Sequence, residues 1–217
     1  MSGLCACLND PVILVQRNTL EFLLLGFPMH TNLLSQSDLI RLVTNGLNTI
    51  LRRDMSLNRR LYSWLLGSEV KKATATEEKQ SSTSTLPRPS YFEQHSKLVL
   101  IKALKCTLKQ SLEHTPVDLT PYKILVSLLD KVEIGPAVLD HVLCDVIRAM
   151  TLSYGHTEVA KSANLLFATF DPSYIWSFMT NIYEKSCKAV SRDYSSYKLL
   201  YVKCFFSFRQ TKNLHQI

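Results

Sequence analysis

Apolar positions along this chain recur at helical spacing. Leu39, Leu42, Val43, Leu47, Ile50 and Leu51 fall at i, i+3, i+4 intervals and make one stripe. Leu125, Leu128, Leu129 and Val132 make a second. Val138, Leu139, Val142, Leu143, Val146, Ile147 and Met150 make a broader third. Ile175, Trp176, Met179, Ile182 and Tyr183 repeat the pattern with aromatics. Start signals agree with the stripes. Asp10-Pro11, Thr120-Pro121 and Asp171-Pro172 each set a capping residue before proline at the first helical position, where a missing N–H costs nothing. Ser90 and Glu93 have the spacing of a capping box, and Ser37 and Thr157 offer two more caps. The spacing predicts helices near 10–27, 37–52, 57–66, 91–113, 121–132, 136–152, 158–169, 172–189 and 191–208. No segment alternates as a strand between hairpin turns. The expected fold class is all-α.

Connections between these helices are short and carry Gly or Pro, as at Gly26-Phe27-Pro28, Ile134-Gly135-Pro136 and Tyr154-Gly155. Short connections favour antiparallel neighbours, so the expected architecture is a series of helical hairpins in a segment of HEAT- or armadillo-like solenoid. No sharp repeat period accompanies them, and a compact irregular bundle is the alternative. Residues 68–89 break the pattern. They have no aromatic residue, a Ser/Thr cluster at 81–85, and Pro87 and Pro89, a composition that buries too little to order itself. A flexible, disordered internal loop is expected there, solvated or open to phosphorylation. It separates helical blocks 1–67 and 90–217 of one amino-terminal domain.

Composition sharpens this reading. Of 217 residues, 46% are hydrophobic and 20% charged, a globular balance, and 6 Gly with 8 Pro argue against a turn-rich β fold. The formal charge is +7, concentrated near the end: residues 183–217 hold seven bases against Glu184 and Asp193. Such a patch attracts nucleic acid or anionic membrane, or is simply a solvated face. The six cysteines (Cys5, Cys7, Cys106, Cys144, Cys187, Cys204) lack metal-site spacing and read as reduced thiols in the cytosol. The apolar run Val12 to Phe27 is interrupted by Gln16, Arg17, Asn18 and Glu21, so neither a signal core nor a membrane span is expected. Membrane contact would be peripheral.

Templates for catalysis are not met. The glycines are isolated, no G-x-S-x-G elbow occurs, and the six histidines have no metal-ligand spacing. His141 and Cys144 share a helix face but make at best half a zinc site. No enzyme activity, cofactor or metal is expected.

The informative stretch is Leu51 to Gly67. Arg52 and Arg53 close one helix, where positive charge complements the carbonyl end. Asp54 to Ser56 turn the chain. Arg59 and Arg60 then open the next helix, whose apolar face is Leu57, Leu61, Trp64 and Leu65. Cations at a helix start are unfavourable unless something anionic compensates. In one reading Asp54 and neighbouring carboxylates or carbonyls pair with the arginines and lock the hairpin. In the other, Arg52, Arg53, Arg59 and Arg60 form an anion-binding site for a phosphoinositide headgroup or an acidic partner segment.

The run LRRDMSLNRRLYSWLLG (51–67), with VQRNTLEFLLLGFP (15–28) upstream and DPSYIW (171–176) downstream, resembles the amino-terminal region of the Dopey family. In that family a helix ending in paired arginines leads through D-x-S-L-N-R-R into a Trp-containing helix. The resemblance covers most of residues 10–200, and Phe205 to Ile217 has no match in it. Family members are far longer, so a fragment or truncated form is expected. The resemblance implies a non-enzymatic cytosolic helical scaffold, peripheral on trans-Golgi and endosomal membranes. It implies traffic between those compartments with a guanine-exchange-factor-like scaffold and a phospholipid flippase, and links to kinesin cargo attachment and phosphatidylinositol 4-phosphate. The alternative from another class is a nucleic-acid-binding helical repeat using the basic carboxyl-terminal helix, where Tyr194, Tyr197, Tyr201, Phe205, Phe206 and Phe208 interleave with the bases. A cut solenoid also leaves an apolar face uncovered, so self-association is expected.

Overall fold

The computed structural model describes residues 1–67, 90–113, 118–152 and 157–188. The expected loop 68–89, the helix 191–208 and most of the basic 183–217 segment lie outside them. All regular structure among the described residues is helical. It comprises α1 (Ser2–Leu8), α2 (Ile13–Gly26), α3 (Gln36–Leu47) running into a 3-10 turn (Asn48–Arg52), and α4 (Met55–Leu66). A π-helical turn (Phe92–Ser96) leads into α5 (Lys97–Glu113), followed by α6 (Thr120–Leu129), α7 (Gly135–Leu152), α8 (Thr157–Ala168) and α9 (Pro172–Lys188). The chain divides into two compact units, Met1–Thr107 with Ser127–Leu139, and Leu108–Val126 with Asp140–Ile217.

In the first unit α2 packs chiefly on α4, and α1 lies against both α2 and α3. The core is leucine-rich: Leu8, Leu20, Leu23, Leu42, Leu47, Leu57, Leu61 and Leu65 are fully buried around Trp64. Burying such a side chain contributes about 1.5–3 kcal/mol, which is what holds short helices that would not persist alone. Polar groups in this core are directed. Trp64 Nε1 donates to the Phe27 carbonyl at 2.9 Å, tying α4 to the end of α2. Gln16 Nε2 donates to the Leu8 carbonyl at 3.0 Å. Asn9, just past α1, donates to Asn45 Oδ1 and accepts from Asn48 Nδ2 at 3.1 Å, fixing the first helix to the end of α3. Gly67 ends α4 in the left-handed conformation, φ 64°, ψ 36°. A Cβ there would stand 2.5 Å from the Tyr91 ring, so Gly67 is required both by its backbone and by its neighbour. Tyr91 OH in turn lies 3.1 Å from His30 Nδ1.

In the second unit the stripes of α7, α8 and α9 are buried as the spacing predicts, at Val142, Leu143, Val146, Ile147, Val159, Ala163, Leu166 and Ile175. Trp176, grouped with that stripe in the sequence, is exposed instead. Tyr122 is wholly buried, and its hydroxyl has no hydrogen-bond partner among the described residues. Burial pushes that phenol up to about 12. Tyr174 donates to the Asp140 carboxylate, joining α9 to α7.

Several helix starts differ from expectation. The capping box is formed: Glu93 N donates to Ser90 Oγ at 3.2 Å, and Ser90 N to Glu93 Oε2 at 3.3 Å. Asp171 likewise accepts from Ser173 N at 2.8 Å at the start of α9. At Asp10-Pro11, however, the Asp10 carboxylate captures the Val12 N–H at 2.8 Å in a local turn, and α2 begins only at Ile13. The cap of α3 is Ser35 rather than Ser37, accepting from Asp38 N. Helix α6 begins at Thr120, whose N–H is taken by Asp118 Oδ1 at 2.9 Å. Helix α4 begins at Met55, two residues before its expected start.

Candidate functional site

The reversal between the 3-10 turn and α4 takes only two residues. Arg53 adopts the left-handed conformation, φ 54°, ψ 26°, with its N–H on the Ile50 carbonyl at 3.1 Å. For a side chain other than glycine this region is strained, by about 1 kcal/mol. Asp54 follows as the cap of α4. Its Oδ1 accepts from Ser56 Oγ at 2.6 Å, Ser56 N at 2.9 Å and Leu57 N at 3.0 Å. The Ser56 hydroxyl first, then the Leu57 amide, and to a lesser degree the Arg17 guanidinium hold this carboxyl below its usual range. Asp54 is thus committed to the helix start, and the arginine nearest to it electrostatically is Arg17 of α2.

The four arginines singled out in the sequence have separate fates. Arg60 turns to α2: its Nε donates to the Glu21 carboxylate and its Nη1 to the Ser56 carbonyl at 3.2 Å. It locks the helix pair. Arg52 is exposed and donates from Nη2 to the Asp10 carbonyl at 3.5 Å, spanning to the α1–α2 connection with no ion-pair partner among the described residues. Arg53 and Arg59 are exposed and have no ion-pair partner among the described residues. Because α4 begins at Met55, Arg59 and Arg60 lie in its second turn, beyond the strongest part of the N-terminal dipole. The cost expected for cations at a helix start is therefore small.

The structure adds residues that the sequence did not single out. The Arg52–Asp10 contact and the Arg17–Asp54 proximity bring the start of α2 beside the arginine turn. Val12, Ile13 and Leu14 are exposed on the α2 side, and Leu51 and Met55 on the turn itself. The surface that results is a corner of arginines interleaved with protruding apolar side chains. Its acids are engaged: Asp10 with the Val12 amide, Asp54 with the cap, Glu21 with Arg60. Such a corner carries positive charge beside apolar surface. One signal was available in the sequence, since Val12 to Leu14 is apolar on consecutive positions and one helix face cannot bury them all. Among the described residues, no three of His, Cys, Asp or Glu come together as a metal site. No helix among them is long and apolar enough to cross a membrane.

Two family models match this chain. Residues 1–70 match the family described as Dopey, N-terminal, and residues 91–209 match the DOP1 middle TPR domain. The chain belongs to the Dopey family. Its helical hairpins are accordingly of the solenoid class. The DOP1 homolog of Drosophila melanogaster is 67% identical over 193 residues, covering 87% of this chain and 7% of that protein. DOP1B of Xenopus laevis is 37% identical over 235 residues, covering 89% of this chain and 10% of its own length. DOP1 of Saccharomyces cerevisiae is 28% identical over 185 residues, covering 80% and 11%. The chain therefore spans about a tenth of the length of these Dopey relatives. No solved structure matches it.

Proposed function

We propose that this chain is a non-catalytic scaffold segment that docks peripherally on anionic membrane through the arginine corner and holds protein partners on its helical faces. The observation that carries the reading is the pair Arg53 and Arg59, exposed and without an ion-pair partner among the described residues, beside Arg17 and Arg52 on a surface whose described acids are already engaged. Charges of this kind act over about 8–10 Å at physiological salt and draw in a surface rather than a buried ligand. Membership of the Dopey family supports setting this work in membrane traffic, at trans-Golgi and endosomal membranes facing the cytosol. The partners proposed with it are a guanine-exchange-factor-like scaffold, a phospholipid flippase and kinesin.

Two measurements test the reading. Flotation of the 217-residue chain with phosphatidylcholine vesicles, with and without an anionic lipid, is expected to show binding only to the anionic ones, weakening as salt rises. Arg53→Glu with Arg59→Glu is expected to abolish it without loss of helical circular dichroism, and unchanged binding would make the corner structural. Proximity labelling with the chain as bait is expected to mark the named trafficking partners. Enrichment of ribonucleoproteins instead would favour the nucleic-acid reading.

A further inference from the structure

Single exposed apolar side chains need no explanation, but a group of them does. Met55 is 87% exposed, Val12 52%, Leu14 50%, Ile13 42% and Leu51 36%. All five lie at the one corner where the α1–α2 connection meets the turn into α4. Met55 is the first residue of α4, directly after the Asp54 cap, so its side chain projects from the end of a helix that is itself anchored through Leu57, Leu61 and Leu65. Val12 to Leu14 project from the start of α2, anchored through Leu20 and Leu23. Both helices are joined by the Arg60–Glu21 pair. Rigid elements thus hold these apolar side chains at an end of the helix pair where Arg52 reaches the Asp10 carbonyl, Arg17 acts on Asp54, and Arg53 and Arg59 stand exposed.

We propose that Met55, with Val12, Ile13 and Leu14, inserts among the acyl chains just below the headgroups of an anionic bilayer. The arginines would stay at headgroup level. This rests on the membrane-docking reading above and adds to it a dependence on lipid packing. A corner that docked by charge alone would answer only to the density of anionic lipid. One that inserts four side chains must also find or open gaps between headgroups, so it binds better to strongly curved or unsaturated membranes. The geometry favours a bilayer over an acidic peptide, because the apolar groups project outward and an uncharged side chain as exposed as Met55 gains little from a charged strand laid across it.

The test uses the 217-residue chain with small vesicles of phosphatidylcholine and phosphatidylserine, made with either unsaturated or saturated acyl chains. Binding is expected to be stronger to the unsaturated set at equal charge. Met55→Asp is expected to weaken it about tenfold or more, and Met55→Leu to leave it within about twofold, following the apolar area available to bury. An environment-sensitive dye on Met55→Cys is expected to shift to the blue on binding. The side chain is exposed, so these variants fold as the parent does, and circular dichroism checks it. Salt-sensitive binding unaffected by Met55→Asp, with no dye shift, overturns insertion while leaving charge-driven docking intact. Absence of binding to every anionic vesicle overturns docking and insertion together. Loss of a protein partner on Met55→Asp in a chain that binds no vesicle overturns both and makes the corner a protein site.

Discussion

The Arg60 guanidinium and the Glu21 carboxylate, 39 residues apart, join α4 to α2 by an ion pair. The Arg60 side chain is only 20% exposed and Glu21 45%, so the pair is partly screened and is worth about 1 kcal/mol. Arg60→Ala is expected to lower unfolding stability by that amount. Arg59→Ala, which removes an exposed side chain with no ion-pair partner among the described residues, is expected to change it by less than about 0.5 kcal/mol. Urea unfolding followed by tryptophan fluorescence compares the two. Equal losses would mean that Arg59 also helps to hold the fold.

Gly67→Ala places a methyl group in the left-handed region and against the Tyr91 ring at 2.5 Å. The backbone alone costs about 1 kcal/mol, and moving Tyr91 adds to it, so a loss of about 2–3 kcal/mol is expected in the same assay. If the ring is the larger part, Tyr91→Ala in the Gly67→Ala background recovers some of the loss.

Asp54 supplies an acid-sensitive contribution. Its folded carboxyl lies below the ordinary 3.8, held there mainly by the Ser56 hydroxyl and the Leu57 amide. The stability it adds is complete above that ordinary value and disappears as pH falls through the lower folded value. Asp54→Ala is expected to reduce stability at pH 7 and to flatten the acid limb of the stability–pH curve. Asp54→Asn, which still caps, is expected to keep more of the neutral-pH stability while flattening the same limb.

Tyr122 behaves in the opposite direction. Burial raises its phenol from 10.0 to about 12, so the folded state holds the proton more tightly. Stability is intact below pH 10 and falls as pH rises toward 12. Tyr122→Phe removes a buried hydroxyl with no hydrogen-bond partner among the described residues and is expected to be neutral or stabilising by up to about 1 kcal/mol at pH 7, with the alkaline loss reduced. A clear destabilisation at pH 7 would reveal a partner for that hydroxyl.

The fold was legible wherever local chemistry decides it. Ser90 with Glu93, Asp171 before Pro172, and the stripe from Val138 to Ile147 are short-range patterns, and they formed as read. Asp10-Pro11 misled because the same carboxylate that caps a helix also closes a local turn, and the two options differ by only two positions. The π-helical turn at Phe92–Ser96 left no trace in a 3.6-residue period, since it opens the helix and no earlier stripe precedes it whose phase it could shift. The arginine cluster was visible as composition, but its division was not. Nothing near Arg60 in the sequence points to Glu21, and nothing near Arg52 points to Asp10. Both relations arise only when α2 and α4 are laid together.

The amides of Asn9, Asn45 and Asn48 seat α1 without using a net charge. Ionic strength therefore has little grip on that join, whereas it weakens any hold the arginines have on a negatively charged surface. Under the docking proposed above, raising salt releases the arginine corner and leaves the first helix in place, so that such an attachment is reversible without disturbing the fold beneath it.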